Sequence, residues 1–269
     1  TYSAQLHTER SKGSSQGVVN FKTGFDVKYD SPLLDLDEIK KVSVVGLGGS
    51  GTASGSAQGD SRAAVFDIAF DGKSVELEKY KLGDVSAHIN YKAGHLYVNK
   101  IQGTLVSSRY LGQVAIDFER NWLLGKLQMP FLDLAVIKES IKAHLPIPVA
   151  LAGSGSAIVD LDGPLNPDKR SFKAKARLYN CRVGDQHFDT ADVDVSSDMG
   201  HVVFNSLSLD EKNSNLVFTG GLDLDQKNYD MHFKSQKYFL DDFEYVKVVN
   251  APAKGLFDLS GAISGKFDS

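Results

Sequence analysis

The most chemistry-like run in the chain is KVSVVGLGGSG, in which Gly46, Gly48 and Gly51 follow a strand-like apolar segment at dinucleotide-binding spacing, with Asp71 about twenty residues beyond. A nicotinamide site of that kind needs a helix whose N-terminus faces the pyrophosphate. The residues that follow, TASGSAQGDS, bring Gly55 and Gly59 and no apolar helical stripe. The expectation is therefore a glycine-rich strand and no cofactor. The related segment LAGSGSAIVD, starting at Leu151, lacks the leading glycine, which makes the feature part of a repeat and not a unique site.

Other reactive side chains are similarly dispersed. The seven histidines have no metal-ligand spacing to one another, to Cys or to Glu, so no metal site is expected. His95 and His201 follow glycine at equivalent places and fall on the polar side of an alternating pattern, which suits exposed strand or turn positions. Ser50 and Ser154 sit in glycine-rich stretches without the Gly-x-Ser-x-Gly pattern of an acyl-transfer nucleophile, and no catalytic residue is assigned. The single cysteine, Cys181, has no partner for an internal disulfide and reads as a small buried side chain. Aspartates in DTADVDVSSD and GLDLDQKNYD alternate with apolar residues and make the wet face of strands.

The elements that carry these residues are strands. Phe66, Ile68 and Phe70 alternate with Asp67, Ala69 and Asp71, and Val85, Ala87, Ile89 and Tyr91 alternate with Ser86, His88, Asn90 and Lys92. Further on, Phe172, Ala174, Ala176 and Leu178 alternate with Lys173, Lys175, Arg177 and Tyr179. Turn signals at Asp71-Gly72, Leu82-Gly83-Asp84, Ala93-Gly94 and Met199-Gly200 predict successive antiparallel hairpins. One helix is predicted after Pro130, capped by Asp133, with Leu134, Ile137, Ile141 and Leu145 on one stripe and Pro146 at its end. Shorter counterparts are expected near Leu36 and Phe243. The fold class is all-β with one short helix per repeat.

Three copies of one phrase set the period: PLLDLDEIK from Pro32, PFLDLAVIK from Pro130 and YFLDDFEYV from Tyr238. Asp133 and Asp241 are 108 residues apart, as are Gly153 and Gly261. GHLYVN from Gly94 answers GHVVFN from Gly200, and RYLGQVAIDF answers VFTGGLDLDQ. The division expected is the end of one repeat (residues 1–31), two whole repeats (32–129 and 130–237) and the start of another (238–269), in one elongated body cut from a longer protein. A net charge of −4 with no basic cluster gives no footprint for nucleic acid. No run of residues approaches the length of a membrane-spanning helix.

Taken together, the Leu-Asp-Leu phrase, the Gly-Ser-Gly strand, LDGPLNP from Leu161 and the run ending in YLGQVAIDF resemble the repeating periplasmic body of the TamB and AsmA-like family. The resemblance implies a curled antiparallel sheet, taco-like in section, whose apolar inside conducts phospholipid acyl chains between the membranes of a didermic bacterium. It also implies an inner-membrane anchor and an outer-membrane barrel partner of the Omp85 type in the full-length protein, and a role in outer-membrane biogenesis.

The groove lining expected is Phe66, Ile68, Phe70, Ile89, Leu96, Val98, Val114, Ile116, Phe172, Leu178, Val193, Val202, Phe204, Leu222 and Leu224. The chain offers many apolar strand faces and few helices to cover them. The alternative is a structural or adhesive β-solenoid with a closed, dry core and no lipid. An enzyme is the third reading, and the repeated apolar faces do not provide the convergent polar pocket it needs.

Overall fold

The computed structural model describes residues 1–20, 22–39, 46–60, 63–143, 149–166, 171–239, 242 and 255–266. Strand takes 78% of the chain and helix 5%, so the class is all-β. The chain forms two compact units, Thr1–Gly125 and Lys126–Ser269.

In the first unit the strands are β1 (Tyr2–His7), β2 (Lys12–Asn20), β3 (Gly24–Asp35), β4 (Leu47–Gly59), β5 (Ala64–Leu77), β6 (Tyr80–Lys92), β7 (His95–Leu105) and β8 (Ser108–Asp117), with α1 (Leu36–Ile39) between β3 and β4. β9 (Trp122–Asp133) carries the chain into the second unit, which holds α2 (Leu134–Ile141), β10 (Leu151–Pro164), β11 (Phe172–Val183), β12 (Gln186–Asp198), β13 (His201–Glu211), β14 (Ser214–Asp223), β15 (Asn228–Phe239) and β16 (Leu256–Lys266). Within each unit, strands adjacent in sequence are adjacent in the sheet and antiparallel. Short hairpin connections leave no other economical pairing for such a sequence.

The turns at Ala93-Gly94 (φ 48° and 78°) and Met199-Gly200 (φ 47° and 86°) have the two left-handed residues of a tight hairpin. Two other expected turns are corrected. Asp71-Gly72 and Leu82-Gly83-Asp84 lie inside β5 and β6, which continue to a turn at Glu78-Lys79 (φ 49° and 70°). What looked like turn chemistry is a bulge. Ser74 adopts φ 50° as the register shifts, and Asp84 stitches the irregularity by accepting from the Ser74 amide at 3.1 Å and the Lys73 ammonium at 2.7 Å.

The helices start as the sequence requires. Asp133 caps α2 by accepting from the Ala135 and Val136 amides at 3.0 and 3.3 Å, and Asp35 accepts from the Asp37 amide at 2.9 Å beside α1. Each helix lies on the strand that follows it, α1 on β4 and α2 on β10. Leu145, Pro146 and the third short helix expected near Phe243 fall outside the described residues. Among the described residues no helix is long and apolar enough to cross a membrane.

Candidate functional site

Residues directly opposite across an antiparallel pair share a face of the sheet. In the first unit this register joins Ala57, Phe66, Tyr91, Leu96 and Ile116 into one row across β4 to β8. The adjacent row is Gly55, Ile68, Ile89, Val98 and Val114. Phe70 continues the same face between Ala53 and Ala87. The apolar side chains are half-buried, apart from Ala57, which is buried. Behind them the other face is polar: His88 Nε2 and Asn90 Nδ2 lie 3.1 and 2.7 Å from Asp67 Oδ2.

The second unit repeats the arrangement. Phe172, Ser197, Val202, Leu222 and Tyr229 form one row, and Ala174, Val195, Phe204, Gly220, Met231 and Ile263 form the next. Phe172, Val202, Phe204 and Leu222 are half-buried, as are Val195 and Met231.

Two expected lining residues have a different setting. Leu178 is only 5% exposed, inside a dry cluster with Leu132, Ala157, Cys181, Phe188, Ala191 and Leu209, and Val193 packs against that cluster. Leu134 and Ile137 of α2 close over the cluster. Leu224 lies in the β14–β15 turn and is 37% exposed. The other thirteen named residues share the apolar faces, with Val193 at the boundary between the half-buried rows and the closed cluster.

A bulge keeps each apolar face continuous. In β7 the inward positions are Leu96 and Val98, then Ile101 and Leu105, because the residues between Val98 and Ile101 outnumber those opposite them on β8. β13 makes the same change between Phe204 and Leu207. Strict period-two alternation through the same residues, with no bulge, would turn Ile101 and Leu207 to the polar face. Asn99 and Asn205 stand at these bulges and reach back to the preceding strand. Asn99 donates to Asn90 Oδ1 at 3.5 Å, and Asn205 donates to Asp194 Oδ1 at 3.0 Å and Ser196 Oγ at 3.4 Å. The Asn205 hydrogen bond and Lys175 hold the Asp194 carboxyl below its ordinary pKa.

Aromatic side chains that the alternating pattern did not single out also belong to this face. Tyr29 crosses Gly55 so closely that a Cβ there would lie 2.8 Å from its hydroxyl, which donates to the Asp67 carbonyl at 3.2 Å. Tyr110 crosses Gly103 and donates to the Leu82 carbonyl at 2.8 Å. Burial pushes the Tyr110 phenol up to about 12. The signal in the sequence was a glycine one strand away from each tyrosine, and it is visible only once the register is known.

The reactive residues resolve into structural roles. The GLGGSG segment leads into and forms the start of β4, with Gly49 at φ 104° in a bulge, and β10 has its counterpart at Gly153 with φ 140°. His95 and His201 make matched contacts, 3.9 Å to Asp117 and 3.4 Å to Asp223. Asp117 accepts from the amides of Glu119 and Arg120, and Asp223 from those of Asp225 and Gln226. These backbone donors, above all the Arg120 amide, and the nearby His95 lower the Asp117 pKa. The turns therefore align Asp117 with Asp223, two residues away from the Asp225 that the aligned runs implied.

Sequence spacing did not reveal that His187, Asp189 and Glu211 converge, with ligand atoms within 4.8 Å of one another. These groups are already partnered. His187 Nδ1 is 2.9 Å from Glu211 Oε2, the Lys212 amide donates to Asp189 at 2.8 Å, and the Lys212 ammonium is 3.7 Å from Glu211 Oε1. Ser214, near this cluster, holds the chain after β15 by accepting from the Phe239 amide and donating to Asp242, both at 2.8 Å. Ser11 does the same for α1, accepting from the Asp35 amide at 3.0 Å and donating to Glu38 at 2.5 Å.

Comparison with protein-family models, curated proteins and solved structures yields no match.

Proposed function

We propose that this chain is a non-enzymatic segment of a bridge-like lipid-transfer protein and holds phospholipid acyl chains along the apolar faces of its two units. The observation that carries the reading is the pair of half-buried apolar rows repeated in each unit.

Hydrocarbon suits such rows chemically. Each methylene transferred from water gains roughly 0.8 kcal/mol, so a fully covered sixteen-carbon tail gains on the order of 12 kcal/mol. Near-equivalent positions along a row allow a tail to move without crossing water. By the family likeness, the setting is the periplasm of a didermic bacterium, with an inner-membrane anchor and an Omp85-type barrel partner belonging to the parent protein. Support for outer-membrane biogenesis is the corresponding role.

A closed structural solenoid is the second reading, favoured by the dry cluster around Leu178, Phe188 and Leu209. The two readings separate in one experiment. Solvent extraction and native mass spectrometry of the purified chain should find phospholipid, and Val98→Asp and Phe204→Asp should each lose it while retaining the β-sheet circular dichroism spectrum. A lipid-free chain, or unfolding of both variants, would overturn the conduit.

A further inference from the structure

His187 and Asp189 stand at the start of β12 and Glu211 ends β13, and the antiparallel pairing of these strands brings their ligand atoms within 4.8 Å of one another. We propose that these three side chains bind a divalent transition-metal ion of the zinc class.

The fold does not require charge at these positions. Gly94 and Gly200 begin matching phrases 106 residues apart, and Asp117 and Asp223 keep that offset in the next strand. Along β6 and β7 the same offset sets Lys81, Gly83 and Leu105 against His187, Asp189 and Glu211, and it sets Val136 of α2 against Asp242. The earlier copy thus builds the same hairpin with Leu105 and Val136 where the later one buries two carboxylates. Glu211 is 6% exposed and Asp242 8%. Buried carboxylates are costly unless a cation compensates them. The ammonium between them answers both at long range, with Lys212 Nζ 3.7 Å from Glu211 Oε1 and 3.8 Å from Asp242 Oδ1, on a side chain that is half exposed.

An imidazole nitrogen with carboxylate oxygens suits zinc, whereas calcium and magnesium take oxygen ligands. His187 Nδ1 and Glu211 Oε2 are 2.9 Å apart, close to the spacing of about 3.3 Å between ligands on a tetrahedral ion with bonds of about 2.0 Å. Asp189 is exposed, so its carboxylate has room to turn inward. The Lys212 amide donates to Asp189 Oδ2 at 2.8 Å and orients the carboxylate as an outer partner does for a metal ligand, with the second oxygen left to coordinate. Three protein ligands leave the fourth position to solvent. The Lys212 ammonium competes with the ion for Glu211 and swings to solvent when the ion binds.

Zinc titration of the tag-free, metal-stripped chain, read by calorimetry and native mass spectrometry, tests the site independently of lipid. One zinc per chain is expected, undisturbed by millimolar calcium or magnesium. His187→Ala and Asp189→Asn should each weaken binding by about 10-fold or more while the metal-free chain keeps its β-sheet circular dichroism spectrum. Lys212→Met should bind zinc several-fold more tightly, because the backbone amide that orients Asp189 remains and the competing ammonium is gone. A purely structural ion cluster gives no such gain. Absence of zinc uptake, uptake equal in the unaltered chain and both ligand variants, or a Lys212→Met variant that binds no more tightly would overturn the site.

Discussion

Leu178 and Phe204 are both apolar strand residues of the second unit, and their surroundings give them opposite roles. Leu178 is sealed in the cluster under α2, whereas Phe204 is half-buried in an apolar row. Leu178→Ala should cost about 3 kcal/mol in a denaturant melt, and Phe204→Ala roughly 1 kcal/mol, because less packing is lost at the half-buried position. Lipid retention should show the reverse order, with the larger loss in Phe204→Ala. Alternation in the sequence identified the face of each residue correctly, but alternation is the same for a row that is covered and one that is not. The difference lies in α2, whose Leu134 and Ile137 settle over Leu178 from elsewhere in the chain. Tyr110 gives a separate pH test. Its folded pKa is raised to about 12, above the ordinary phenol value of 10.0, so its contribution is complete below pH 10 and is lost as pH rises toward 12. Thermal melts should fall over that window, and Tyr110→Phe should flatten part of the fall.

At the scale of the element, the bulges in β7 and β13 matter more than any single contact. GHLYVN and GHVVFN were legible as equivalents, but their shared function was not, because an extra residue is recognised only against its partner strand. Deleting Lys100 leaves one residue between Val98 and Ile101, as on β8 opposite, so Ile101 and Leu105 should keep the face of Leu96 and Val98. The cost should be only about 1 kcal/mol, from the lost Asn99 contact and altered twist. Lys100→Gly should instead stabilise the unit by about 1 kcal/mol, since Lys100 holds φ 51°, a conformation glycine adopts freely. Chemical denaturation of the two variants checks both signs. The same dependence on partners explains the misplaced turns. Asp-Gly and Gly-Asp are common turn chemistry, yet in β5 and β6 they serve a bulge within longer strands.

At the scale of the whole chain, the strand content bears out the all-β reading, and helix caps, glycine bulges and His–Asp turns recur in both units. Asp35 and Asp133 open equivalent helices, Gly49 and Gly153 mark equivalent bulges, and Asp117 and Asp223 close equivalent turns. The bulges and the Asp117–Asp223 correspondence needed the partner strands, whereas the Asp133 cap and the recurring glycine phrase were legible because each depends on a few neighbouring residues. Coverage of the apolar faces was not, since it depends on what lies above each face. The most direct measurement of the central claim is photolabelling with a phospholipid carrying a diazirine on its acyl chain, followed by mapping of the labelled residues. The account predicts label on Phe66, Ile68, Val98, Val202, Phe204 and Leu222, with little on the opposite faces at Asp67, Asn90 or Lys175. Absence of label, or equal label on both faces of the strands, would contradict it.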